Sequence, residues 1–281
     1  MVLKIVHWDI DPVIFNFLGI GVRYYSLCWL IGIALAYFIV RHIFLKNKIE
    51  NDITDSLLCY VVIGTLAGAR LGHCMFYDWE YFSHHILEIF LPISISPSGV
   101  SYTGYAGLAS HGGAIGIVVA LLLFHAKYKI PLNLLFDSLA FVAPLTGAFI
   151  RIGNFFNSEI IGSPTDVSFG VVFDRVDIIP RHPAQLYEAT AYFIIFIVLY
   201  VFVKRYKRRK GWQVFGLSLS SIFIARFIIE FCKEVQEPFE VGLQSTIGMD
   251  MGQLLSIPFI IIGVIFLFCP LKCPSKHQVG F

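Results

Sequence analysis

Residues 151 to 162 read R-I-G-N-F-F-N-S-E-I-I-G and follow directly on an apolar run. Arg151, Asn154, Asn157 and Glu159 fall within nine residues. An ionisable group at membrane depth costs at least ~2.5–3.5 kcal/mol on insertion scales, so such a cluster marks function ahead of packing. The plain alternative is a charged rim at the membrane surface. A guanidinium, two amides and a carboxylate in so short a compass weigh against it.

Other polar residues interrupt the apolar runs. Arg226 and Glu230 are four apart in one run, so they share a helix face and are expected to pair. Together with Arg151, Arg226 could hold an anion through planar, multi-donor hydrogen bonds. In a bilayer the commonest such anion is a lipid phosphate. His111 opens H-G-G at 111–113, where flanking glycines let a backbone or ligand come close. Histidine is a natural proton acceptor near neutral pH, although a helix-start histidine bonded to backbone reads the same way. Arg70 lies in G-A-R-L-G, beside Gly64, Gly68 and Gly72. Glycines four apart form a face for close helix contact, and Arg70 can snorkel from it. R-H-P-A-Q-L-Y-E at 181–188 reads as a helix entry, and M-G-Q-L-L-S-I-P at 251–258 as helix packing through Gln253 and Ser256.

The elements that must carry these residues follow from composition. The chain has 281 residues, 57% hydrophobic and only 14% charged, against about 25% in soluble domains. The expected fold class is therefore an all-α polytopic membrane protein. A helix needs ~20 apolar residues to cross the hydrocarbon core. Seven runs serve, at 18–45, 53–77, 105–126, 132–150, 186–203, 212–231 and 251–269, the fourth and fifth being shortest. The stretch 86–95 is too short to span and contains Pro92, so it reads as part of an interfacial arm over 82–104. A small external segment is expected at 163–185. The whole chain, 1–281, reads as a single integral membrane domain. The amino-terminal residues, interrupted by Lys4, Asp9, Asp11 and Pro12, do not read as a signal peptide.

Orientation follows the positive charges. Residues 204 to 210 read K-R-Y-K-R-R-K, and that loop is expected to be cytoplasmic. Thirteen of the 21 Lys and Arg then share its side, including Arg41, Lys46, Lys48, Lys127, Lys129, Lys272 and Lys276. No Lys or Arg occurs between Arg70 and Lys127. Seven spans place the N-terminus outside, the C-terminus in the cytoplasm, and 151–162 on the outer side. A net charge of +2 does not suit a nucleic-acid partner. The six cysteines contain no C-x-x-C pair and read as small hydrophobes, so no metal site is expected. H-E-x-x-H, G-x-S-x-G and P-loop motifs are absent. What remains easiest to write is chemistry on a lipid headgroup with neither metal nor cofactor.

The twelve-residue segment resembles the signature of the prolipoprotein diacylglyceryl transferases, through Arg151, Gly153, Asn154, Asn157, Glu159 and Gly162. Further blocks are similar and in the same order: D-P-V-I-F at 11–15 followed by Arg23-Tyr24-Tyr25, H-G-G at 111–113, R-H-P-A-Q-L-Y-E at 181–188, and R-F-I-I-E at 226–230 followed by 251–258. The resemblance implies transfer of the diacylglyceryl group of phosphatidylglycerol to the lipobox cysteine thiol of a prolipoprotein. Glycerol phosphate is released, in the first step of bacterial lipoprotein maturation at the inner membrane.

It also implies roles. His111, Arg151 and Arg226 are the candidate catalytic residues. His111 takes the thiol proton, and the two arginines hold the phosphodiester. Tyr25, Arg70, Asn154, Asn157, Glu159, Gly162 and Glu230 are candidates for substrate binding, with Glu159 and Glu230 positioning the arginines. An arginine-linked network in place of His111 remains an alternative proton acceptor. A transporter or channel for an anionic solute also fits embedded arginines and glycine-broken helices. It predicts polar residues across several spans, whereas here they crowd toward one side.

Overall fold

A computed structural model describes residues 6–17, 20–91, 93–96, 99–102, 107–207, 210–234 and 248–270. Lys4, Leu18, Pro92, Tyr105, Arg208, Arg209, Lys272 and Lys276, invoked above, lie outside the described residues. The fold is mostly helical. Among the described residues, seven helices are long and apolar enough to cross a membrane. They are α1 (Tyr24–Lys46), α2 (Asn51–Phe76), α5 (Ser110–Tyr128), α6 (Leu132–Asn157), α7 (Ala184–Arg205), α8 (Gln213–Glu230) and α9 (Met251–Phe268). Leu30, Phe38, Ile63 and Phe268 are each at least 60% exposed, as expected of helices apolar all round whose solvent is lipid.

The chain divides into two compact units. In the unit of residues 48–135, α2 packs on α5 along the glycine face expected from spacing. A side-chain carbon at Gly68 would run into the Gly112 carbonyl oxygen, so only glycine permits this approach. Two short helices, α3 (Trp79–His84) and α4 (Ile86–Phe90), lead to a hairpin of β4 (Ile93–Ser96) and β5 (Gly99–Tyr102). These elements occupy the stretch of the expected arm, and Ile86, Leu87 and Phe90 are exposed.

The other unit joins residues 1–47 to 136–281. Its α6 is 26 residues long, not one of the shortest spans. The polar residues that ended the apolar count at 150 continue the same helix, because their side chains find partners. At the far end of α6, buried Asp137 accepts the Trp212 and Phe215 amides at 2.9 and 2.8 Å. It thereby caps α8 from another helix. Helix α9 opens with a capping box of Asp250 and Gln253. Gln253 and Ser256 are buried, in keeping with a packing role.

Among its described residues this unit also holds two small sheets, which a helix-only expectation did not include. β2 (Val13–Phe17) and β3 (Ile20–Arg23) form a hairpin. β1 (Val6–Trp8) runs parallel to β6 (Val171–Phe173), which pairs antiparallel with β7 (Pro180–Arg181). The segment 163–185 is thus tied to the start of the chain.

Candidate active site

The last two turns of α6 present Arg151 and Asn154 on one face. Arg151 Nη1 donates to Asn154 Oδ1 at 3.3 Å, and Asn154 is buried. Arg151 Nε lies 2.6 Å from Glu188 Oε2, in the second turn of α7. Glu188 is fully buried, and a carboxylate there needs charge compensation. A second cation supplies more: Lys233 Nζ is 3.0 Å from Glu188 Oε1 and 2.9 Å from Glu230 Oε2.

The expected Arg226–Glu230 pair is absent among the described residues. Glu230 takes Lys233 instead, because the chain turns back after α8 through a Lys233 amide bond to the Glu230 carbonyl at 3.0 Å. Arg226 makes no ion pair among the described residues. Buried Tyr192 lies within electrostatic range of Glu188, Arg151 and Arg226.

Helix α6 ends in a Schellman motif. The Ser158 amide bonds the Phe155 carbonyl at 3.1 Å, and the Glu159 amide bonds the Asn154 carbonyl at 3.0 Å. Ser158 takes the left-handed conformation, φ 56°, where glycine is usual, and Ile160 does so at φ 57°. A β-branched residue there is strained by about 1–3 kcal/mol. The turn aims Glu159 back along the helix, where it accepts from Asn154 Nδ2 at 3.3 Å and Asn157 Nδ2 at 2.9 Å. Glu159 therefore reaches Arg151 only through Asn154, and Glu188 is the arginine's direct partner.

Gly162 closes the segment where three strands of chain meet. Its amide bonds the His182 carbonyl at 3.0 Å, its carbonyl accepts from Arg181 Nη1 at 3.3 Å, and it bridges to Lys233. A side chain there would strike the His182 and Cys232 carbonyls, so glycine is required. Arg181 also holds Asp177 at 2.6 Å, and this guanidinium keeps the Asp177 carboxyl below its ordinary range. Gln185 Nε2 donates to the Glu159 carbonyl at 2.7 Å. Two buried amide oxygens, Asn157 Oδ1 and Gln185 Oε1, have no donor among the described residues.

With this geometry in view, the model of the family described as prolipoprotein diacylglyceryl transferase matches residues 12–269. The chain belongs to the prolipoprotein diacylglyceryl transferase family. It is 47% identical over 266 residues to the phosphatidylglycerol–prolipoprotein diacylglyceryl transferase of Bacteroides fragilis, covering 94% of each chain. The enzyme of that name from Tolumonas auensis is 41% identical over 266 residues, covering 94% of this chain and 97% of its own. The one from Porphyromonas gingivalis is 37% identical over 288 residues, covering 98% of each.

In this diacylglyceryl transferase family member, Tyr25 packs its ring against the backbone at Gly153, within the signature. Two candidates fall in the unit of residues 48–135. His111 is the second residue of α5, exposed, and makes no hydrogen bond among the described residues. Arg70 is buried, with Nη2 on the Glu88 carbonyl at 2.6 Å and Nε on the Ile89 carbonyl at 3.2 Å. It thus caps the end of α4 and braces the arm. Lys233 and Asp137 escaped the sequence reading. Lys233 carried no signal beyond following Glu230 by three, and Asp137 none beyond being an acid in an apolar run.

Proposed function

We propose that this protein transfers the diacylglyceryl group of phosphatidylglycerol to the lipobox cysteine thiol of prolipoproteins, releasing glycerol phosphate. Family membership across residues 12–269, which spans both units, supports the whole chain acting as one transferase. The observation that carries the chemistry is Arg226. It lies, like Arg151, within electrostatic range of Tyr192, yet makes no ion pair with a carboxylate among the described residues. A phosphodiester supplies the missing counter-charge. The donor-less oxygens of Asn157 and Gln185 suit a headgroup that carries hydroxyl donors, as glycerol does.

In the reaction, the thiol loses its proton and the thiolate attacks the glyceryl carbon bonded to the phosphate ester oxygen. The carbon–sulfur bond forms as the carbon–oxygen bond breaks, and the electron pair leaves on the phosphate. Arg151 and Arg226 stabilise that charge. Asn154, Asn157, Tyr25 and Gly162 shape the headgroup site, while Glu159 and Glu230 hold its polar partners. We assign the proton to His111. A thiol of pKa ~8.5 needs a base at neutral pH, and a guanidinium, which holds its proton in proteins, is a poor one. Arg70 serves through the arm it braces. Nothing in the comparisons favours an anion transporter.

We further assign the protein to the bacterial inner membrane, with the N-terminus and the 151–162 site on the outer face, following the positive-inside count. The test is purified protein incubated with phosphatidylglycerol and a lipobox peptide. The expected result is a diacylglyceryl mass gain on the peptide with stoichiometric glycerol phosphate. A peptide of unchanged mass in active-family conditions overturns the reading.

A further inference from the structure

We infer that Arg175, on the turn after β6, is a positioning residue for the active site, acting through the end of α6. This rests on the proposed transferase reading. Arg175 Nη2 donates to the Phe156 carbonyl at 2.7 Å and to Ser158 Oγ at 2.9 Å. The first acceptor is one of the carbonyls a helix end leaves unpaired. The second belongs to the residue forced into the left-handed conformation where glycine is usual. One guanidinium thus fastens the turn whose next residue, Glu159, holds Asn154 and Asn157, and through Asn154 meets Arg151.

The arginine is itself held in place by the start of the chain. Trp8 in β1 pairs in register with Phe173 of β6, and the Asp174 amide bonds the Trp8 carbonyl at 3.3 Å. His7 Nδ1 lies 2.9 Å from Asp174 Oδ1. The Trp8 ring packs on Phe155 and Phe156, with centroids 4.3 and 5.5 Å apart, and Tyr24 stacks on Phe156 at 4.5 Å. The first strand therefore grips both the turn that carries Arg175 and the helix end that Arg175 fastens. A serine at the left-handed position lacks glycine's freedom, so an external tether has a physical task here.

The experiment combines R175A, the double variant R175A/S158G, turnover on phosphatidylglycerol with a lipobox peptide, and amide hydrogen exchange of the intact protein. R175A is expected to lower kcat/KM by about tenfold to a hundredfold, the scale of a small misplacement of reacting groups. Exchange is expected to quicken at Ser158 and Glu159, with the transmembrane helices unchanged. S158G restores most of the rate in the R175A background, because glycine holds the turn without the arginine. Wild-type turnover in R175A overturns the proposal. So does a loss of turnover with unchanged exchange at 158–159, or a loss that S158G does not restore, since Arg175 would then touch the substrate directly. If the wild-type protein transfers nothing, the transferase reading fails, and the exchange data alone still decide whether Arg175 holds the turn.

Discussion

Arg151 Nε sits 2.6 Å from Glu188 Oε2, and Glu188 is wholly removed from solvent. The two are 37 residues apart in the chain, and Lys233 completes the arrangement from the other oxygen. An arginine held this way cannot swing, with its Nε fixed by Glu188 and its Nη1 by Asn154.

Glu188→Gln leaves Arg151 and Lys233 without their shared carboxylate. Breaking a buried pair from one side costs about 3–5 kcal/mol. The expected result is a lower Tm in detergent and loss of turnover, with Glu188→Asp falling between. An E188Q protein with wild-type Tm would show that the pair carries no structural weight.

Arg226→Ala is expected to separate stability from activity. It removes a cation with no ion pair among the described residues, so Tm changes little. Turnover falls by about a hundredfold or more, as when a charge-stabilising donor is lost. Arg151→Ala should lose both. Near-normal rates in R226A would remove Arg226 from the phosphate site.

His111→Gln tests the base through pH. Without a base, the thiolate fraction limits the rate, and that fraction grows tenfold per unit up to a thiol pKa of ~8.5. The defect is therefore largest near neutral pH and shrinks as pH rises. A defect of constant size across pH assigns His111 another role.

Asp177 and Arg181 secure the segment between α6 and α7. Arg181 lowers the Asp177 pKa from its ordinary value of 3.8, so the carboxylate is favoured in the folded state. A depressed acid contributes stability above its unfolded value, and that contribution disappears as pH falls through the lower folded value. Protection of the 177–182 amides against exchange, after allowance for the intrinsic pH dependence of exchange, should hold steady at neutral pH and fall only below about pH 4. In Asp177→Asn that protection should be weaker at neutral pH and lack the acid step.

Much of this was legible in the chain. Long apolar runs have one stable solution in lipid, since every backbone group must bond within its own segment. Gly64, Gly68 and Gly72 announced a seam because helix periodicity alone aligns them, and α5 supplies its other half. Arg151, Asn154, Asn157 and Glu159 stood out because lipid penalises them wherever they lie. The length of α6 was misjudged for a related reason: hydropathy counts polar residues as an end, although partnered polar residues can continue a helix.

The partners themselves were decided by the tertiary fold. Glu230 sits four residues from Arg226, yet Lys233 takes it, because a main-chain turn and the bridge to Gly162 deliver the lysine there. Glu188, Arg175 and Trp8 reach the signature from distant parts of the chain, and no local periodicity encodes such approaches. Hydropathy and residue type act locally, so they establish that this protein is built of membrane-crossing helices and carries an arginine-bearing polar segment. Which carboxylate holds which cation depends on three-dimensional approach of remote segments, and only the folded chain settles it.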